Sequence, residues 1–496
     1  MTRDLAPEPS PIHASPFDPK DWEAFRDLGR RMIDDLVDQL QALGEGPVWR
    51  PPTDEVRAAF ATEAVGAPVT PDAVYAEYLK TVAPYASGNR HPGFMGWVQG
   101  GGAPVGALAE MLAAGLNMNC GGRDHVGLEL ERQIALWARS WFGLPDTSAG
   151  LFVTGASQAN FMSVLAARSF ALGSDVRKTG LSGARLAAYA QVGAHACVVR
   201  AIEMAGIGRE ALRLIPTDAD FRISTEALRR QIAADKAAGI TPFLIVGTAG
   251  TVDVGAFDDL AELADIAEAS GAWLHVDGAF GALGVHAPSV KGRLKGLARA
   301  RSIAFDFHKW GQVPYDAGFL IVADEARLTD VFSSPAAYLS RASSGLAAGE
   351  VWPTDLGPDL SRGCRALKTW FVLRTCGTEA IGEAIEHGLH LAQSLARRID
   401  AHDRLERLAP ADLNIVCFRY VCERSDQFNA EIVQRLQLAG RVAPSLTRIG
   451  GKVSIRAALF NPRTTEAELD ALIAGVLALG GELEKETDNE RQRSKS

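Results

Sequence analysis

The chain has 496 residues, 47% hydrophobic and 22% charged, with a net charge of −9 at neutral pH. That length and balance predict a globular fold with one large domain and one or two smaller ones, and the acidic charge argues against a general nucleic-acid or anionic-membrane surface. No apolar run approaches the roughly 20 residues that span a bilayer, and Cys120, Cys197, Cys364, Cys376, Cys417 and Cys422 are scattered without a CxxC, which predicts free thiols in a reducing cytoplasm and no structural metal.

In chain order, residues 1 to about 16 form a polar, Pro-rich lead-in without the apolar core of a secretory signal. From Trp22 to Leu43, Phe25, Leu28, Met32, Ile33, Leu36, Val37 and Leu40 recur at helical spacing and predict an amphipathic helix that stops at GEGPVWRPP. Its apolar stripe needs a cover, either from the same chain or from a second subunit. Gly106 to Ser140 reads as two helices around NMNCGGRDHVG. From Leu151 to about Leu320 strand-like and helix-like segments alternate, the pattern of an α/β domain with a mostly parallel sheet. Beyond residue 385 the pattern turns α+β, with a helix through His390–Ile399, strands near Leu413–Val421 and Lys452–Ala457, and a helix from Glu466. The predicted organisation is thus an N-terminal helical segment (1–105), a large α/β domain (106–385), a small α+β domain (386–485) and a charged, disordered tail (486–496).

Two strand ends concentrate chemistry. AWLHVDGAFG delivers Asp277, and SIAFDFHKWGQVPYDAG delivers His308 and Lys309 one crossover later. Ligands bind open parallel sheets at the carboxyl ends of their strands. An acid and a lysine displayed there suit pyridoxal 5′-phosphate (PLP): the amine forms a Schiff base with the aldehyde, and the carboxylate keeps the pyridine nitrogen protonated. Four further features join them. Thr154-Gly155-Ala156-Ser157 lies between a strand and a helix, where small residues and a helix N-terminus suit a phosphate. His195 opens a helix where an imidazole can lie on a ring, Thr248 ends FLIVG within reach of a ring substituent, and Gly278 and Ala279 leave space for the ring. Each alone is an ordinary structural feature. Their order along the chain carries the reading.

Those residues sit in longer motifs: HPGFMGW (His91–Trp97), TGASQAN (Thr154–Asn160), HVDGAFG (His275–Gly281), DFHKW (Asp306–Trp310), VPYDAG (Val313–Gly318) and SRGCRALKTWFVLRTCGT (Ser361–Thr378). In their order and spacing the chain resembles the PLP-dependent group II amino-acid decarboxylases, roughly from Phe17 to Pro462. The resemblance implies the type I, aspartate-aminotransferase-like fold and a homodimer whose N-terminal helices embrace the partner. It implies Lys309 as the Schiff-base lysine, Asp277 as the partner of the ring nitrogen, and His195 as the group stacked on the ring and near the substrate carboxylate. Ala156, Ser157 and His308, with Gly155 in the same turn, would contact the phosphate. Asp306 stands where many members carry Asn or Asp, and Ala279 and Thr248 would touch the ring. The implied reaction is loss of carbon dioxide from an external aldimine, leaving a quinonoid carbanion that takes a proton to give the amine.

The family's aromatic decarboxylases carry a tyrosine on a mobile loop that corresponds to Ser340–Leu360, and this stretch has none; Glu350 or Gly349 takes its place, with Tyr338 just outside. The small-residue composition predicts a mobile lid. Either Tyr338, His195 or water supplies the proton, or the carbanion meets oxygen and ends as an aldehyde; an inactive PLP-binding homologue is a third reading. In Met95-Gly96-Trp97-Val98-Gln99, Trp97 and Val98 favour an aromatic or bulky apolar substrate over an acidic one, unless Trp97 is simply core. Arg456 receives no role.

Overall fold

The computed structural model describes residues 15–334 and 340–493, so Tyr338 lies outside the described residues. Its strands are β1 (Phe94–Met95), β2 (Ala149–Val153), β3 (Leu186–Gln191), β4 (Leu212–Ile215), β5 (Thr241–Thr248), β6 (Trp273–Asp277), β7 (Ser302–Asp306), β8 (Gly318–Val322), β9 (Leu405–Arg407), β10 (Ile415–Tyr420), β11 (Ala443–Ile449) and β12 (Lys452–Ala458). The central ones are continuous rather than alternating apolar runs, as a sheet covered on both faces requires. Ile245, Val276, Ile303 and Phe305 pack with the helix Val126–Phe142 on one side; Leu244, Val246, Trp273 and Ala304 pack with the helices Ala156–Leu172 and Ala196–Met204 on the other.

The large sheet runs β2-β8-β7-β6-β5-β3-β4, with β8 antiparallel to both neighbours and every other pair parallel. This is the mixed α/β architecture expected of the type I fold. Strand and helix positions predicted between Leu151 and Leu320 agree with it. The register sets Thr248 beside Asp277 and Asp277 beside Ala304, so three strand ends meet at one edge.

A second sheet, β1-β11-β12-β10-β9, is antiparallel except for the β1–β11 pair. Its core joins Leu391, Leu395 and Ile399 to Ile432, Leu469 and Val476 from three helices. Residues 87–105 belong with this larger unit, because Phe94 and Met95 pair with Ala443 and Pro444; the other compact unit comprises, among the described residues, 15–45 and 52–86, less than the 1–105 segment predicted. Likewise the helix Arg365–Asp400 runs across residue 385, with Gly377 (φ 76°) interrupting its helical dihedrals. The final helix, Glu466–Arg493, continues through most of the stretch predicted as a disordered tail, where Arg435 pairs with Glu486 at 3.0 Å and Arg491 with Glu423 at 3.2 Å. In the smaller unit the helix Trp22–Gln41 buries only Leu28 and leaves Trp22, Phe25, Met32 and Val37 exposed, while Tyr75 Oη donates to Asp35 at 2.6 Å.

Candidate active site

At the carboxyl ends of β5, β6 and β7 lies a cavity of about 380 Å³. Of the residues singled out for a site, Trp97, Val98, Gly155, Ala156, Ser157, His195, Thr248, Asp277, Ala279, Asp306, His308 and Lys309 line it, and Gly278 does not. One end of the cavity is formed by the β2–helix turn and the turn after β7. There Asp306 accepts the Ala156 N–H at 2.8 Å through Oδ1 and pairs with Lys309 Nζ at 2.7 Å through Oδ2. The Ala156 amide expected for a phosphate is therefore already engaged by Asp306. His308 Nδ1 accepts the Ala317 N–H at 3.0 Å, and burial lowers its pKa, so the neutral ring carries its proton on Nε2 as a donor. The Gly155 turn reaches this end because β8 runs beneath it: a Cβ on Gly318 would lie 2.3 Å from Gly155 Cα.

Asp277 is 4% exposed and has no ion-pair partner among the described residues. Burial raises its pKa, and the charges of Lys309 and His195 oppose that rise. Its oxygens accept the Ala279 N–H at 3.2 Å and Asn160 Nδ2–H at 3.1 Å. Beside it Thr248 Oγ1 is buried without a hydrogen-bond partner among the described residues. His195 caps the helix Ala196–Met204, its Nδ1 accepting the Cys197 N–H at 3.2 Å.

The mouth comes from elsewhere in the chain. Gly100 N–H donates to the His308 carbonyl at 3.2 Å and Gly101 N–H to Gln312 Oε1 at 2.9 Å, which sets Trp97 and Val98 over the turn that bears Lys309. A Cβ at Gly100 would meet the His308 and Lys309 carbonyl oxygens at 2.5 and 2.6 Å, so glycine permits this approach. Trp97 is 56% exposed and lines the cavity, which sets aside its reading as core. Arg456 lies buried behind this segment and donates to the Gly96 carbonyl at 2.7 Å and to the Val252 carbonyl at 2.6 and 2.9 Å.

Of the 340–360 stretch, no described residue lines the cavity. Trp352, 1% exposed, anchors it: the guanidinium of Arg341 stacks 3.5 Å from its ring and that of Arg123 4.8 Å, while Asp124 N–H donates to the Leu346 carbonyl at 2.9 Å. The small-residue composition hides this anchor. Sequence reading also missed Asn160, His275, Cys197, Val252, Phe280 and Tyr315. Asn160, His275, Phe280 and Tyr315 stand inside quoted motifs, but nothing in their spacing says where they point. Tyr315 lines the cavity with its ring centroid 4.3 Å from that of His308.

An unpaired buried carboxylate, an unsatisfied hydroxyl, a primary amine and a neutral imidazole donor in one cavity fit PLP. The chain matches the family model described as the pyridoxal-dependent decarboxylase conserved domain over residues 54–421. It is 31% identical over 470 residues to the aromatic-L-amino-acid decarboxylase of Bacillus atrophaeus, covering 93% of this chain and 96% of that one. To the phenylacetaldehyde synthase of Arabidopsis thaliana it is 28% identical over 469 residues, covering 90% and 94%. Among solved structures, Oryza sativa TDC with PLP and tryptamine superposes with a TM-score of 0.86 at 25% identity, covering 94% of this chain and 99% of that chain. The chain belongs to the pyridoxal-dependent decarboxylase family and is a PLP-dependent carboxy-lyase acting on an amino acid.

Proposed function

We propose that the substrate is an aromatic or bulky apolar L-amino acid and the product its amine, formed in the cytoplasm by a homodimer. The observation that carries the substrate reading is the cavity wall: Trp97, Val98, Val252 and Phe280 line it, no arginine does among the described residues, and Arg456 spends its guanidinium on two backbone carbonyls. A side-chain carboxylate would find no bidentate partner there. The exposed apolar residues of the helix Trp22–Gln41 support a second copy as their cover, and the six free cysteines suit a reducing compartment.

In this reading Lys309 Nζ would hold the cofactor through its aldehyde. Asp277 would keep the proton on the ring nitrogen, Thr248 Oγ1 and Ala279 would contact the ring, and His195 would serve its face and the substrate carboxylate. Ser157, His308 Nε2–H and the Gly155 end of the turn would hold the phosphate, with Asp306 fixing the Ala156 amide and Lys309. When bound, PLP supplies the electron-withdrawing ring that accepts the electron pair left as carbon dioxide departs. The apolar wall excludes water from the substrate carboxylate, which favours its loss.

A second reading, the aldehyde, has one observation behind it: residues 340–360 hold no tyrosine and none of those described lines the cavity, leaving His195, Lys309 and Tyr315 as the nearby proton carriers. The test is to add a panel of L-amino acids to the PLP-loaded protein and record the visible spectrum, carbon dioxide, amine, aldehyde, ammonia and hydrogen peroxide together. Amine from an aromatic substrate supports the first reading. Aldehyde with stoichiometric ammonia and peroxide replaces it with the second, and turnover confined to acidic amino acids overturns the substrate assignment.

A further inference from the structure

We propose that Asn160 is a positioning residue, the last link of a one-way hydrogen-bond chain that starts at Trp273, passes through Ser302 and His275, and aims a donor at Asp277, keeping that carboxylate the acceptor for the cofactor's protonated ring nitrogen. The inference rests on the role given to Asp277 above and adds the machinery behind it.

The direction of each link follows from which groups can donate. Trp273 Nε1–H is only a donor, and it meets Ser302 Oγ at 2.8 Å. Ser302 Oγ also lies 2.8 Å from His275 Nδ1 and donates to it when the imidazole proton sits on Nε2, the tautomer that Asn160 selects. His275 is buried, which pushes its pKa down to about 3, so its neutral ring has a single N–H, left on Nε2. That N–H meets Asn160 Oδ1 at 2.5 Å. The Asn160 amide then directs both Nδ2 protons forward, one to Asp277 Oδ2 at 3.1 Å and one to Cys197 Sγ at 3.2 Å. The reverse amide orientation would set Oδ1 against the Asp277 carboxylate, so Asp277 fixes the amide with Oδ1 toward His275 and the imidazole proton on Nε2. Asn160, His275 and Ser302 are each 1% exposed, so water cannot replace a missing link. In so dry a setting each bond polarises the next.

Asp277 needs such support. It is buried without an ion pair among the described residues, and its only hydrogen-bond donors among them are Asn160 and the Ala279 amide. Asn160 also stands in the first two turns of the helix that begins at Ala156, so one helix serves the phosphate end and the ring-nitrogen end of the cavity. A serine or alanine at 160 would strand His275 Nε2–H. An aspartate would place a second carboxylate against Asp277 and make the protonated, donor form of Asp277 the stable one.

The test loads wild type, Asn160→Asp, His275→Leu, His275→Gln and Asp277→Asn with PLP carrying nitrogen-15 in its ring. The readouts are the ring-nitrogen NMR signal and PLP affinity, with circular dichroism as the check of folding. Expected are a protonated ring nitrogen in wild type, a signal moved toward the unprotonated ring in Asn160→Asp and His275→Leu with PLP affinity lowered roughly tenfold or more, and a near-wild-type signal in His275→Gln, whose side-chain amide can still donate to Asn160. A general loss of structure would lower affinity without moving the signal of the bound ring. An unmoved ring-nitrogen signal in folded Asn160→Asp, or in both His275 variants, overturns the proposal. If Asn160→Asp does not fold, the contrast between His275→Leu and His275→Gln decides it. Asp277→Asn separates the two levels: a ring that stays protonated there defeats the role of Asp277 itself, whereas a deprotonated ring there beside unmoved signals in the other variants defeats only the chain.

Discussion

Asp277, Asp306 and His308 at the floor of the cavity are 4%, 2% and 5% exposed, and each is fixed by named hydrogen bonds. Trp97 and Tyr315 at its mouth are 56% and 48% exposed, and each makes one ring contact, with Phe94 and His308 respectively. Preorganised dipoles act most strongly where water is excluded, so the floor suits work on charge and protons. The mouth's side chains are half-exposed and make one ring contact apiece, so it suits the choice of substrate. Substitutions at the two levels should therefore differ in kind as well as in size.

The floor should fail completely when its amine is removed. Lys309→Ala is expected to lower kcat by on the order of 10⁶-fold and to abolish the visible band of the loaded protein, read by carbon dioxide release and absorbance; retained turnover would break the assignment of the lysine. The scaffold under the floor should fail as stability. Arg362 is buried with Glu131 and also donates to the carbonyls of Cys120 and Phe152 at 2.7 and 2.8 Å, bracing β2 just before the Gly155 turn. Arg362→Met leaves that carboxylate buried and unpaired and should cost about 3–5 kcal/mol in denaturant unfolding.

The floor should also carry a pH signature. His275 is held neutral by burial, with its pKa depressed from 6.5 to about 3. Below 6.5 the unfolded chain therefore binds a proton that the folded chain refuses. Stability contributed by the neutral ring is full above 6.5 and falls toward pH 3 at up to about 1.4 kcal/mol per pH unit. His275→Gln should flatten that part of the acid limb relative to wild type, measured by thermal melts across the range. The mouth gives the smallest effect: Trp97→Ala should lower kcat/KM for aromatic substrates roughly tenfold while moving stability by no more than about 0.5 kcal/mol. A stability loss comparable to that of Arg362→Met would erase the distinction between floor and mouth.

The strands that end in Asp277 and in the Asp306–Lys309 turn were legible because each is a continuous apolar run that stops at polar residues, a pattern local to about ten residues. The phosphate turn at 154–157 was legible for the same reason. Asn160 was not, since its value depends on partners 115 and 117 residues away in the sequence. The anchoring of 340–360 by Trp352 likewise depends on Arg123 and Asp124 from a separate loop. The helix Glu466–Arg493 outran its predicted end because Arg435 and Glu423 reach its charged turns across space.

Periodicity and turn chemistry in the sequence by themselves determined the α/β class, the order of the elements and which strand ends carry an acid and a lysine, because these follow from faces and breaks within single segments. Tertiary packing decided which polar atoms meet: the link from His275 through Asn160 to Asp277, and the delivery of Trp97 to the cavity mouth by β1 pairing on β11 and Gly100 lying on His308. A hydrogen bond is specific to a few tenths of an ångström, and no one-dimensional pattern fixes a distance between segments that only the packed core brings together.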